Sequence, residues 1–225
     1  SHRPQDSARS RSLGRPADTV WVMGDNLISR GTATRGERRT AAEILADHHG
    51  GVLSRDLLRG VGVDRHLIAR EVGARRWARQ GNQTVALHRR PLGEAERRWR
   101  AVWEVGAEVA LVDGISALLA QGLTGIQEYA VHVSVIHNHR VPHPAGVVVH
   151  KLARRHPTES VGAGLPRTRA PIAALRAAHW AVSDRQAALV LALTVQQRLA
   201  TPQALALALA GTTHRRRRAL IGTLV

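Results

Sequence analysis

Residues 50–90 constrain the fold more than any other part of the chain. They read GGVLSRDLLRGVGVDRHLIAREVGARRWARQGNQTVALHRR. Two short helical patterns flank a glycine turn, and two strand-like runs follow with polar turn residues between them. Ser54 suits the N-cap of the first helix, where its hydroxyl would accept a hydrogen bond from a free backbone N–H. Leu53, Leu57, Leu58 and Val61 recur at the spacing of one apolar helical face. Gly60 and Gly62 interrupt that helix, with Val63 as an apolar plug. Asp64 then caps a second helix in which Leu67, Ile68 and Val72 point inward, leaving Arg65, His66, Ala69 and Arg70 outside. Residues 77–79 and 84–87 form a β-hairpin around Gly81-Asn82. The pattern predicts a winged helix-turn-helix whose second helix would enter a major groove.

Charge points the same way. The 225 residues carry 33 Lys and Arg against 17 Asp and Glu, a formal net of +16. Such a balance favours a polyanionic partner. Residues 64–90 hold seven arginines against two acids, a net of +5 on the expected reading helix and hairpin. The bland alternative is a solvated charged face. The coincidence of the charge with the helix-turn-helix makes it the electrostatic footprint expected of nucleic-acid contact. Double-stranded DNA is the expected partner, with Ser54, Arg55, Arg65, His66, Ala69, Arg70, Arg75, Arg76, Arg79 and Asn82 as the contacting residues. Aromatic residues are only 3% of the chain, which argues against single-strand recognition on stacking platforms.

Other chemistry finds little footing. Cysteine is absent, so disulfides, thiolate metal sites and a cysteine nucleophile are excluded. No signal peptide and no long apolar span are visible, so a cytoplasmic location away from membranes is expected. Neither a phosphate-binding glycine loop nor a Gly-x-Ser-x-Gly elbow occurs. Six histidines (132, 137, 139, 143, 150 and 156) crowd one region, but residues 126–166 offer only Glu128 and Glu159 as acids. Catalytic zinc wants three such ligands and usually a nearby carboxylate, so no metal or other cofactor is expected. Residues 21–26, WVMGDN, resemble a box of type I signal peptidases. No membrane anchor and no Ser/Lys dyad accompany it, and the chain is not read as an enzyme.

Length suggests two domains. Residues 1–38 read as a flexible basic tail, residues 39–92 as the winged domain, and residues 93–225 as a mixed α/β domain. Residues 39–48 supply a supporting helix. After the linker Pro91-Leu92-Gly93, helices are expected over 94–104 and 107–123. Strands over 129–136 and 146–152 would pair through the connection 139–144. Residues 158–165 read as looped. Helices then open at Pro171, at Ser183 and at Thr201-Pro202, the last in cap-then-proline order. Arg215 to Arg218 lead a final basic helix. The expected class is α+β: an N-terminal winged helix-turn-helix, then a mixed α/β domain with a small sheet and a helical C-terminal part.

The order of these motifs is similar to a known family. Gly50-Gly51-Val52, Ser54-Arg55, Gly62-Val63-Asp64-Arg65 with Ile68, Arg76-Trp77 and Val85-Ala86-Leu87 resemble the N-terminal winged domain of AbiEi-type antitoxins. Those are the transcriptional-repressor components of type IV toxin–antitoxin systems. Leu118-Leu119, Gly122-Leu123, residues 131–135, residues 146–150, Gly164-Leu165-Pro166, residues 168–171 and residues 199–205 continue the likeness, over about residues 40 to 220. The chain departs at Gln83-Thr84-Val85, where the family wing usually has Gly-Val-Tyr, and at residues 172–175, which lack an expected arginine and aspartate. The resemblance implies a repressor that binds repeats near its own promoter and opposes a nucleotidyltransferase-like toxin. Many relatives continue into a very-short-patch-repair-like nuclease domain. Two alternatives therefore stand beside repression: the regulatory part of such a nuclease, and an RNA- or toxin-binding interaction protein.

Overall fold

The computed structural model describes residues 33–211 and 217–224. The 21–26 box, Arg215, Arg216 and most of the expected tail lie outside the described residues. The chain is α+β, with two small three-stranded sheets set among helices.

Helix α1 (Arg35–Asp47) begins four residues before the expected start. Thr34 and Glu37 form a reciprocal capping box that satisfies two opening N–H groups. Gly50 and Gly51, with φ of +72° and +94°, turn the chain into β1 (Val52–Ser54). Leu53 therefore belongs to a strand and not to the helix that the apolar spacing suggested. Helix α2 (Arg55–Gly60) follows, with the Ser54 hydroxyl accepting from the Leu57 N–H at 3.1 Å. Helix α3 (Arg65–Gly73) starts under Asp64, whose carboxylate accepts from the Leu67 N–H at 2.8 Å. Between the helices Gly62 takes φ +80°, and Val63 is buried as the plug. Strands β2 (Ala78–Arg79) and β3 (Thr84–Ala86) complete an antiparallel sheet in the order β1-β3-β2.

Alternation along these strands divides the core. Leu53 and Val85, paired across β1 and β3, join Ala42, Ala46, Leu58, Val63, Ile68 and Trp77 beneath the N-terminal helices. Val52 and Ala86 face the other way and pack with Val102 and Trp103 of α4 (Glu94–Val105). The apolar contacts thus run past residue 92, the expected boundary, into the next helix. His49, just beyond α1, lies edge-on to Trp99 at 4.6 Å, and Trp99 stacks on Trp103 at 5.2 Å.

The expected helix over 107–123 is replaced by β4 (Leu111–Val112) and a shorter α5 (Gly114–Ala120). Asp113, fully buried, caps α5 through the Gly114 N–H at 2.7 Å, while Leu111 and Val112 pair antiparallel with β5 (Val131–Ile136). Strand β6 (Val147–Leu152) pairs with β5 in parallel, from Val131↔Val147 to Ile136↔Leu152. The connection between them is a crossover and not the hairpin turn that its length suggested. A 3-10 turn (Pro157–Glu159) leads to α6 (Ala170–Trp180), α7 (Asp184–Gln196), α8 (Pro202–Ala210) and α9 (Arg218–Leu224). Ser183 and Thr201 cap α7 and α8 as expected. Small residues let these helices approach closely: Ala117, Ala173, Ala174, Ala178 and Ala187 are fully buried. Among the described residues no helix is long and apolar enough to cross a membrane.

Candidate nucleic-acid interface

Helix α3 presents two faces of opposite character. Leu67 and Ile68 are 8% and 3% exposed, while Arg65, His66, Ala69 and Arg70 are all open to solvent. That division follows from the helical period alone. The Arg65 Nε donates to the His66 Nε2 at 3.3 Å, so the two side chains lie together on the first turn. A helix with its side chains is about 10–12 Å across, close to the roughly 12 Å width of a B-DNA major groove.

The remaining expected contacts separate into free and committed groups. Arg75, just past α3, is exposed and holds φ +57°, a left-handed conformation that costs a side-chain-bearing residue about 1–2 kcal/mol. Arg79 on β2 is exposed as well. Arg76 is different: its Nε and a terminal nitrogen donate to both oxygens of Glu71, at 2.5 and 2.9 Å. Glu71 is 3% exposed, and these bonds hold its carboxyl below the usual carboxylate range. Arg76 thus serves first as counter-ion to a buried acid. Ser54 is 8% exposed with its hydroxyl occupied in capping, which leaves it a structural cap.

The hairpin turn is fastened down. Glu104 of α4 accepts from the Asn82 and Gln83 N–H groups, each at 2.9 Å, and from the Thr84 hydroxyl at 2.7 Å. One helical turn earlier, the Arg100 Nε donates to the Gln80 carbonyl at 2.5 Å, and another nitrogen reaches the Ala145 carbonyl at 3.1 Å. Arg55 adds its Nε to the Asn82 carbonyl at 2.6 Å, and its backbone N–H donates to the Gln83 carbonyl. Arg55 and the Asn82 backbone therefore hold the turn, which leaves the exposed Asn82 with its side chain for contact. Arg100 and Glu104 escape a reading of α4 as apolar on one side and basic on the other. An acid one turn after Arg100, on the side of the helix away from Trp99, Val102 and Trp103, is the signal that could have found the clamp.

The crowded histidines do not converge. His132 and His150 meet across the β5–β6 pair, Nδ1 to Nε2 at 3.0 Å, and His150 lies flat on Trp180 at 3.5 Å. His156 bonds locally to Thr158. Among the described residues no group of three or more His, Cys, Asp or Glu could hold a metal ion. Comparison with protein-family models and with curated proteins finds no match for the chain.

Proposed function

We propose that residues 35–87 form a winged helix-turn-helix and that the chain is a sequence-specific double-stranded DNA-binding repressor. The observation that carries this reading is the outer face of α3, where Arg65, His66, Ala69 and Arg70 stand exposed above a buried Leu67-Ile68 floor. Guanidinium forks match the O6 and N7 acceptors of guanine, and a small residue such as Ala69 allows close approach to a base edge. Arg75 and Arg79 lie beyond the C-terminus of α3 and on the hairpin, where they would grip phosphates and fix the register without reading sequence. The motif order that resembles AbiEi-type antitoxins extends the proposal to a repressor of its own promoter, paired functionally with a nucleotidyltransferase-like toxin. No catalytic step is assigned to the chain.

Equilibrium binding to the chain's own upstream DNA tests the reading. Arg65→Ala or Arg70→Ala is expected to cost about 1–3 kcal/mol on the preferred duplex and less on scrambled sequence. Arg79→Ala should weaken all duplexes alike and reduce the salt slope by about one. Unchanged affinity in both α3 variants would remove that helix from the groove.

A further inference from the structure

A cavity of about 560 Å³ lies between the end of β6, the 153–159 connection, α6 and α8. Its size falls in the range of small-molecule sites, roughly 300–1,000 Å³. Its wall is of two kinds. Leu152, Ile172, Leu207 and Ala208 supply an apolar side, and Leu207 is 78% exposed on α8. Lys151, Arg154 and Arg155 supply positive charge. Lys151 and Arg154 are exposed, with no side-chain hydrogen bond or ion pair among the described residues. Arg155 spends its terminal nitrogens on the Val109 carbonyl at 3.1 Å and on Ser134, leaving its Nε buried without a partner. Burial accordingly pulls the Arg155 guanidinium below its usual pKa. Glu159 shares the wall but is already paired with Arg176. The cavity thus sets two exposed cations without an ion-pair partner, Lys151 and Arg154, beside an apolar lining.

We propose that this cavity binds an amphipathic organic anion, its carboxylate or phosphate head at Lys151 and Arg154 and its apolar body along Leu152, Ile172, Leu207 and Ala208. A nucleic-acid backbone fits this lining less well, because it brings phosphate without an apolar body. The site is independent of the α3 face, so either assignment can fail alone.

Fluorescence titration of the full chain with anilinonaphthalene sulfonate, itself an aromatic anion, tests the proposal. The probe also lights up on loosely packed chains, so near-UV circular dichroism must first show fixed tertiary structure. Saturable one-to-one binding is expected, displaced by octyl phosphate or octanoate at concentrations where 1-octanol has no effect. The more effective of the two anions identifies the head group. Lys151→Gln with Arg154→Gln should weaken the probe about tenfold or more, equivalent to 1.4 kcal/mol or more, without lowering the melting temperature. Ala208→Trp should block binding by filling the cavity. Undiminished binding in both variants would overturn the proposal, and so would equal displacement by octanol. Displacement by a short DNA duplex as effective as that by octyl phosphate would assign these cations to nucleic acid and overturn it as well.

Discussion

Glu104 and Gly81 make one contact whose two sides can be separated by mutation. A Cβ built on Gly81 would lie 2.4 Å from the Glu104 carboxyl carbon and one of its oxygens, so glycine is required there by close approach and not by backbone angle. Glu104 in turn is 8% exposed and serves two backbone N–H groups and a hydroxyl. Truncating it strands three donors around a small void, and Glu104→Ala should cost about 2–4 kcal/mol. Gly81→Ala should cost about 1–3 kcal/mol in the parent chain through overpacking. The same change in the Glu104→Ala background should cost under about 0.5 kcal/mol, because the clashing carboxylate is gone. Urea denaturation of all four proteins gives the coupling energy. Additive losses would mean that the turn does not rest on that carboxylate.

At the scale of elements, strands β5 and β6 and helix α6 half-bury a pair of imidazoles. Burial, followed by the neighbouring His132, lowers the pKa of His150 to about 4. His132 is lowered too, chiefly by burial, against an opposing pull from Glu128 and Asp113. Trp180 lies parallel to the His150 ring, with 3° between the planes, and offers no acceptor for an added proton. The unfolded chain takes up that proton near the ordinary value of about 6.5. The contribution of neutral His150 is therefore fully present above about pH 6.5 and is lost as pH falls towards 4, a loss of roughly 2–3 kcal/mol. Urea midpoints at pH 7 and pH 4.5 should differ less in His150→Phe than in the parent. An identical pH dependence in both proteins would show that His150 does not carry it. That both histidines sit in valine-flanked strands is legible from the alternation of residues 131–136 and 147–152. Their meeting is not, because pairing direction is a long-range choice that no local pattern encodes. The caps at Ser54, Asp64, Ser183 and Thr201 are legible because they act within three residues of themselves.

Over the whole molecule, charge divides by use. Residues 111–225 hold thirteen basic residues against four acids, and from sequence these cations look like a dispersed phosphate-attracting surface. Many are structural staples instead. Arg155, Arg167 and Arg169 bond to backbone carbonyls, and Arg217 joins Asp184 to the end of α6. Arg176, 7% exposed, bridges Asp113 and Glu159. Only a three-dimensional arrangement distinguishes a staple from a surface cation, which is why this division escapes a reading of composition. Arg176→Ala leaves the buried Asp113 and the part-buried Glu159 without their partner and should cost about 3–5 kcal/mol in stability. It should leave the salt dependence of DNA binding unchanged at temperatures where the protein is folded. A shallower salt slope in that variant would return Arg176 to the DNA surface.

Under the proposed function the exposed face of α3 is what would make the chain a reader of sequence, and a nuclease footprint of the full chain on its own upstream region tests it most directly. A discrete protected tract is expected, persisting in excess non-specific competitor and lost in the Arg65→Ala, Arg70→Ala double variant. Uniform protection along the fragment, no protection, or a tract unchanged in that variant would contradict it.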